Sequence, residues 1–343
     1  MQLSYIINQL ESFGVQVDFV GSGQTEILQV AGLDHAQPNH ISFLNDKKYL
    51  SSLRDTHAGA VILSPTYRDN CTVARLIVDN PYYVYALVAQ ILNPNPIEIG
   101  IHCDSTVDST AVIAETACVK AQAVVQSGVV IGQSTLIGSG AVIEHDVQIG
   151  EHCRIGSNVV ICHHCIIGDG VIIEAGAVIG GDGFGWASHQ GKWHKIPQVG
   201  RVIIGHHVSI GNNVCIDRGA IEDTVIADNC IIDNLVHIAH NVKIGEGSAI
   251  AGQSGFAGST SLGAHCTVAG QVGFAGHLNI ADNIHFLAKA GVTHNLDKPG
   301  AYAGFPAIPV LDWQKNSVRA RNLDKMSKQI KRLQKQLDAL SKA

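Results

Sequence analysis

His240 is the histidine in this sequence whose surroundings best suit acid–base chemistry. It stands two positions after the branched residue Ile238, where an 18-residue repeat predicts a turn with an outward-facing side chain. Gly258 occupies the same position one repeat later, and a glycine there leaves its backbone N–H open to approach. Acyl transfer requires a base beside an open N–H, because one removes a proton and the other stabilises an oxyanion. A solvated surface histidine is the alternative interpretation.

Two further histidine-containing segments are candidates for chemistry. His277 follows His240 by 37 residues, two repeats plus one residue, which predicts a separation of about 10 Å along one face. The segment Cys162-His163-His164-Cys165 has the composition of a zinc cluster. Its Cys165 falls at an inward position of the repeat, so we expect no shared ligand sphere and no structural zinc there. The sequence contains no HExxH, GxSxG or P-loop motif.

The repeat itself has a period of six residues. Val or Ile stands at every sixth position from Ile101 to Ile179, and the register resumes over 204–216 and 226–292 with occasional Leu or Phe. This period is the hexapeptide signature of a parallel β-helix, in which three hexads close one triangular coil. The hexads suffice for about nine to ten coils, roughly 45 Å of prism. A second inward position, two residues earlier, is small at Ala111, Ala117, Ala123, Ala141, Cys153, Cys165, Ala177, Cys230 and Cys266.

Two interruptions break the hexad register. Residues 181–200 form a loop that carries Phe184, Trp186 and Trp193, two of the three tryptophans in the chain. A shorter extrusion lies at 217–224. Long loops on a regular solenoid usually carry function or partner contacts. We therefore expect the functional site near these loops.

Both ends of the chain lack the six-residue period. Residues 1–98 predict a small α/β domain, with a helix around Ser4–Phe13, strands at 59–63 and 72–78, and a linker marked by Pro94 and Pro96. The prism is expected over 99–298 and a helical region over 299–343. That region has a heptad seam, which predicts packing against copies of itself. Its members are Leu323, Met326, Ile330, Leu333, Leu337 and Leu340.

Composition narrows the functional class. The net charge of −6 argues against bulk nucleic-acid binding. No signal peptide and no apolar stretch of transmembrane length is visible. The nine cysteines lack paired spacing, which favours the reduced thiols of a cytoplasmic protein. Residues 311–343 hold nine Lys or Arg against three Asp, which indicates either a solvated helix face or a docking surface for an acidic partner.

Three segments carry a family resemblance. IDRGAIEDT at 216–224, IIDNLVHIAHNVKIG at 231–245 and GGDGFGWA at 180–187 closely resemble the UDP-3-O-(3-hydroxyacyl)glucosamine N-acyltransferases of lipid A biosynthesis. The likeness extends over nearly the whole chain. It implies a homotrimeric left-handed β-helix that moves an (R)-3-hydroxyacyl chain from acyl carrier protein to the 2-amine of a UDP-sugar lipid precursor. The implied enzyme needs no metal and no cofactor beyond the 4'-phosphopantetheine of the donor.

The resemblance also implies roles for individual residues. His240 resembles the general base, Gly258 would supply the oxyanion N–H, and Asp233 resembles the acid that orients or charge-balances His240. His277 would bind the substrate or the transition state, and Asn234 and Asn241 would contact the substrate. In this family the site lies between adjacent subunits.

A uridine-binding stretch is implied in the N-terminal domain, at ISFLNDKKY over 41–49. Phe43 and Tyr49 would be aromatic platforms for the base, although Phe43 also fits a core position. The family pattern has Asn three residues after the Phe. Here that position is Asp46 and Asn45 precedes it, and a carboxylate near a diphosphate would repel it. The assignments of Asn45 and Asp46 therefore stay open.

Three other functions fit parts of the sequence. A UDP-N-acetylglucosamine O-acyltransferase would share the prism and the donor, but the 95 extra N-terminal residues count against it. A γ-class carbonic anhydrase would need three histidines on zinc, and His240 and His277 have no convincing third partner. A structural β-helix without activity would leave the aromatic loop and both end regions unexplained.

Overall fold

The computed structural model describes residues 1–94, 98–305 and 309–341, so Pro96 of the expected linker lies outside the described residues. The chain divides into two compact units, Met1–Ile97 and Glu98–Ala343. All nine cysteines, each within the described ranges, are free thiols. In the parts of the chain that are described, no helix combines the length and the apolar character needed to cross a bilayer.

The first unit is a five-stranded sheet with helices packed on it. Its strands run in the order Asp18–Val20, Ala74–Ile77, Ala60–Leu63, His40–Phe43 and Gln29–Val30, with only the first pair antiparallel. Its helices are Leu3–Ser12, Leu50–Asp55 and Pro81–Leu92, with short 3-10 turns at Lys47–Tyr49 and Pro65–Asn70. The apolar face of the first helix buries Leu3, Ile6 and Leu10 against the sheet.

The second unit is a parallel β-helix, as the hexads predict, and it is left-handed, as the family resemblance implies. Three parallel sheets form its faces, and each strand pairs with the strand one coil away. The branched hexad residues and the small residues two positions earlier are both buried; Ile131 and Ala123, for example, are 2% and 0% exposed. Between them the chain turns at a residue with positive φ, such as Asn158 at 57°, whose N–H bonds to the carbonyl of Ser139.

The strands of the three faces have the following bounds. The ten-stranded sheet contains Thr106–Val107, Val124–Val125, Val142–Ile143, Val160–Ile161, Val178–Gly181, Cys215–Asp217, His237–Ile238, Gly255–Phe256, Gly273–Phe274 and Gly291–Val292. The nine-stranded sheet contains Val112–Ile113, Val130–Ile131, Gln148–Ile149, Ile166–Ile167, Val202–Ile204, Thr224–Ile226, Lys243–Ile244, Ser261–Leu262 and Asn279–Ile280. The eleven-stranded sheet contains Gly100–Ile101, Cys118–Val119, Leu136–Ile137, Arg154–Ile155, Ile172–Ile173, Ser209–Ile210, Ile231–Ile232, Ala249–Ile250, Thr267–Val268, Ile284–Phe286 and Gly300–Tyr302.

The last strand lies just beyond the predicted end of the prism at 298. Two helices follow, Val310–Arg321 and Leu323–Leu340, separated at Asn322. The second helix carries the heptad seam, whose six apolar side chains are 43–77% exposed in the single chain. The loop at 181–200 extends from the prism as an antiparallel hairpin, Trp186–His189 paired with Lys192–Lys195.

Candidate active site

His240 lies in a narrow slot between two glycines. It follows the strand His237–Ile238, and Gly258 occupies the same turn position one coil later. A Cβ added to Gly258 would lie 2.6 Å from both Cε1 and Nε2 of the imidazole. A Cβ on Gly183, in the long loop, would lie 2.8 Å from the His240 Cβ. Any larger residue at either position would displace the ring, so the two glycines shape the slot.

The hydrogen bonds of Asn241 determine which nitrogen of His240 carries the proton. The Asn241 amide is oriented by the loop at 217–224, because its Oδ1 accepts from Ala220 N at 3.0 Å and its Nδ2 donates to Glu222 O at 2.9 Å. The same Oδ1 lies 3.0 Å from His240 Nδ1. An amide oxygen can only accept, so Nδ1 carries the hydrogen. In the neutral imidazole Nε2 then carries the lone pair, and this nitrogen lies beside Gly258.

The backbone N–H of Gly258 has no acceptor among the residues that the structure describes. At the same turn position after the nine-stranded sheet, side chains from the next coil accept these bonds. Glu151 N donates to Asp169 Oδ1 and Ala264 N donates to Asp282 Oδ1, both at 2.8 Å. Gly276 is the corresponding residue above Gly258 and has no side chain to do so. The slot thus combines a free base nitrogen with an unbonded N–H.

His277 lies on the same corner of the prism as His240 and Gly258. Ser259 N donates to His240 O, and His277 N donates to Gly258 O, both at 3.0 Å, so the three residues belong to consecutive coils. The His277 side chain is exposed. The separation of roughly 10 Å from His240, two coils of about 4.8 Å each, stays a prediction.

Asp233 is not brought to His240 within one chain. It follows the strand Ile231–Ile232 of the eleven-stranded sheet, at a different corner. Its Oδ1 accepts from Asn234 N at 2.8 Å and its Oδ2 accepts from Gly252 N at 3.0 Å. Asn234 likewise caps its neighbour, because its Oδ1 accepts from Asn212 N at 2.6 Å.

Asp217 is an acid near His237 and His240 in the same chain, and the sequence did not identify it. Its Oδ2 lies 3.8 Å from His237 Nε2. Burial raises the pKa of Asp217 above its ordinary value, while positive charge on His237 or His240 would lower it. Asp217 is the first residue of the 217–224 loop and directly precedes Arg218.

Arg218 contacts the bases of both loops, and its side chain is almost fully buried. Its Nε donates to Gly180 O at 2.7 Å and its Nη2 donates to His163 O at 2.9 Å. Gly180 immediately precedes the 181–200 loop. Arg218 therefore ties the bases of the two loops together, and both loops reach His240.

The predicted uridine stretch has mixed surroundings in the N-terminal unit. Phe43 is half-buried and stacks on Tyr85 with ring centroids 4.1 Å apart. Tyr49 is exposed, with Lys48 Nζ 4.9 Å above its ring. Asp46 accepts from Lys48 N and pairs with Lys48 Nζ at 3.3 Å; the backbone bond is the main cause of its lowered pKa. Asn45 is exposed. Lys48 thus offsets the charge of Asp46.

Comparison with known proteins identifies the family. A family model described as UDP-3-O-(3-hydroxymyristoyl) glucosamine N-acyltransferase matches residues 24–91. A UDP-3-O-acylglucosamine N-acyltransferase of Hydrogenovibrio crunogenus is 50% identical over 99% of this chain and 98% of its own length. The chain belongs to the UDP-3-O-acylglucosamine N-acyltransferase family. A second member, from Methylobacillus flagellatus, is 46% identical over 98% of this chain and 97% of its own.

Both units of the chain contribute to this membership. The model of bacterial transferase hexapeptides, six repeats, matches 128–163, 146–181 and 223–258 in the prism, whereas the N-acyltransferase model matches the first unit. A solved UDP-N-acetylglucosamine acyltransferase from Campylobacter jejuni aligns over 57% of this chain and 68% of its own, with 22% identity and a TM-score of 0.43. The relatives and the N-acyltransferase model confirm the predicted family, and the hexapeptide matches with the three parallel sheets confirm the predicted β-helix.

Proposed function

We propose that this chain transfers an (R)-3-hydroxyacyl group from the 4'-phosphopantetheine of acyl carrier protein to the 2-amine of UDP-3-O-(3-hydroxyacyl)glucosamine. The product is the UDP-2,3-diacylglucosamine of lipid A biosynthesis. One observation carries the proposal: His240 presents a free Nε2 beside the unbonded N–H of Gly258. An N-acyltransferase needs this pair, because its reaction forms an oxyanion while an amine loses a proton.

In this mechanism the substrate amine attacks the thioester carbonyl, and His240 Nε2 takes the proton that the nitrogen loses. The Gly258 N–H donates to the oxyanion of the tetrahedral intermediate. When the intermediate collapses, the C–S bond breaks and His240 returns the proton to the departing thiol. Asn241 keeps the imidazole in the required tautomer, and Asp217 stabilises its transient positive charge.

The uridine end of the substrate is assigned to the N-terminal unit. Phe43 and Tyr49 offer aromatic faces, and Lys48 supplies a cation near Asp46. His277, Asn234 and Asn241 stay predictions as substrate contacts. The role of Asp233 as a partner of His240 also stays a prediction. Because Asp233 lies at another corner of the same chain, it could act on His240 only from a neighbouring subunit.

Assembly and partners belong to the same proposal. The exposed heptad seam of the last helix supports self-association, and the basic excess of 311–343 supports docking of an acidic carrier protein. The homotrimer, the carrier-protein donor and the cytoplasmic location stay predictions.

The test is a mass-spectrometric assay of the purified full-length chain with (R)-3-hydroxyacyl carrier protein and one of two acceptors. We expect amide product from UDP-3-O-acylglucosamine and none from UDP-N-acetylglucosamine. Ester product from the second acceptor would move the function to O-acylation. His240→Ala should lower kcat by about 10²- to 10⁴-fold, whereas the exposed His152→Ala should leave it unchanged. Near-normal turnover by a folded His240→Ala variant would remove His240 from the mechanism.

A further inference from the structure

A second histidine cluster lies on the same corner as His240, three to four coils earlier. His145 and Asp146 follow the strand Val142–Ile143, and His164 follows the next strand of the same sheet. The ligating atoms of these three side chains all lie within 4.8 Å of one another. At about 4.8 Å per coil the cluster is roughly 14 to 19 Å from His240, too far to share a ligand with it.

We propose that His145, Asp146 and His164 bind a divalent transition-metal ion of the Zn²⁺ class. His145 Nδ1 lies 3.0 Å and His164 Nδ1 lies 3.8 Å from the same oxygen, Asp146 Oδ2. Bonds of about 2.0–2.2 Å from zinc to nitrogen and oxygen place tetrahedral ligand atoms roughly 3.3 Å apart. The two distances bracket this value, so small side-chain movements would seat the ion.

The His164 side chain forms no hydrogen bond with any described residue. Its Nδ1 lies 3.8 Å from Asp146 Oδ2, beyond hydrogen-bond reach. A cation between the imidazole and the carboxylate would engage both. Imidazole nitrogens favour Zn²⁺, Cu²⁺ or Ni²⁺ over Mg²⁺ or Ca²⁺, which select oxygen ligands. Two neutral imidazoles and one carboxylate leave one positive charge on a bound divalent ion.

The surrounding residues hold the His145 ring in place. His163 stacks on it with centroids 4.9 Å apart and planes 13° apart. The His163 ring is itself held at both nitrogens, by Glu144 Oε2 at 3.2 Å and by Arg218 Nη1 at 2.6 Å. The turn of His164 is bonded directly to the turn below it, since His164 N donates to His145 O at 3.2 Å. Such outer contacts typically orient metal ligands before the ion arrives.

The cysteines of the Cys162–Cys165 segment are not ligands in this proposal. Cys165 points into the prism, as its hexad position predicts. Cys162 is not part of the group whose ligating atoms all lie within 4.8 Å of one another. The three proposed ligands are instead 44–55% exposed, which leaves a fourth coordination position open to water. The ion would join two successive coils at the base of the 181–200 loop.

The test is a zinc titration of the chelator-treated, tag-free, full-length chain by calorimetry. A second group of possible ligands, His102-Cys103-Asp104, lies on the first coil, so all titrations use a Cys103→Ser, His102→Gln background. We expect one Zn²⁺ per chain and a rise in Tm on binding. His145→Gln and His164→Gln should each weaken binding by more than the 10–100-fold typical of losing an outer contact.

The matched control is His152→Gln, an exposed histidine at the same turn position as His164 on another corner, which should bind zinc like the parent. Asp146→Asn provides a second ligand variant should one histidine variant fold poorly by circular dichroism. Co²⁺ should give visible absorption bands that are lost in the ligand variants. Unchanged zinc affinity in the ligand variants, or no stoichiometric binding by the parent, would overturn the proposal.

Discussion

Two corners of the prism have the same turn geometry and different chemistry. The capped corner is the set of turns after the nine-stranded sheet, where Asp169 and Asp282 accept the N–H of the turn one coil below. The His240 corner is the set of turns His240, Gly258 and Gly276 after the ten-stranded sheet, where glycines leave that N–H unbonded. We infer that the proposed oxyanion donor is available because no side chain caps it, which leaves unbonded an N–H that the fold already holds in place.

Restoring the cap at the His240 corner should produce the largest effect. In Gly276→Asp the new carboxylate would accept from Gly258 N–H, and the added negative charge would oppose an oxyanion. We expect kcat to fall by about 10²- to 10³-fold, as for loss of an oxyanion donor, with Tm unchanged. Gly276→Asn separates the effect of capping from the effect of charge. An amide oxygen can accept the same N–H without adding negative charge, as Asn234 Oδ1 does for Asn212 N. Full activity in both variants would refute Gly258 as the donor.

Filling the slot is the next largest perturbation. The methyl group of Gly258→Ala would lie 2.6 Å from the imidazole and push His240 aside. A displacement of about 1 Å costs roughly 100-fold in rate, so kcat should fall by about that factor. Gly273→Ala is the matched control, because its added Cβ has nothing within 4 Å. If steady-state assays of the two variants agreed, the slot would not position His240.

Releasing His240 from Asn241 should have a smaller effect. Asn241→Gly keeps a residue that tolerates the φ of 61° and removes the acceptor for His240 Nδ1. Loss of orientation should lower kcat by about 10- to 100-fold with little change in KM. Asn213→Gly, at φ 54° on another corner, serves as control. A change confined to KM would instead support the predicted substrate contact.

Asp217→Asn should change how the stability of the fold depends on pH. Because burial raises the pKa of Asp217, the native fold loses stability as pH rises through that pKa. The Asn variant should therefore be at least as stable at neutral pH. Denaturant unfolding at neutral pH checks this, and a variant less stable than the parent chain would contradict it.

Removing a cap from the capped corner should produce the smallest effect. Asp282→Ala frees Ala264 N–H far from His240 and should cost about 1 kcal/mol of unfolding free energy, the net value of one hydrogen bond. Denaturant unfolding should detect this loss while kcat stays normal. Reduced activity without reduced stability would mean that the two corners are not independent.

The position of a residue within its hexad predicts whether it is buried and on which corner of the prism it lies. The hexads predict the buried residues of every face, and counting in steps of 18 places His240, Gly258 and His277 on one corner. The same count could have separated Asp233, which stands one position after its inward residue, from His240, which stands two positions after. The role assigned to Asp233 came from resemblance, not from phase.

What the sequence could not predict depends on the loops. The amide orientation of Asn241 and the burial of Asp217 and Arg218 arise from how 217–224 folds back on the prism, where no repeat applies. The stacking of Phe43 on Tyr85 joins residues 42 positions apart in the aperiodic unit. Periodic segments thus reveal their contacts in advance, whereas aperiodic ones acquire contacts only through tertiary packing.

The 18-residue coil also has a consequence for how such a chain can change in length. Apart from a register shift between Ile179 and Gly181, the coils stack on one another residue for residue. Inserting one whole coil between Val292 and the terminal helices would move those helices away from His240 by about 4.8 Å without turning any face. Inserting a single hexad would instead rotate every later face by one third of a turn. The distance between the proposed active site and the terminal helices can therefore change only in steps of one whole coil if the faces are to stay aligned.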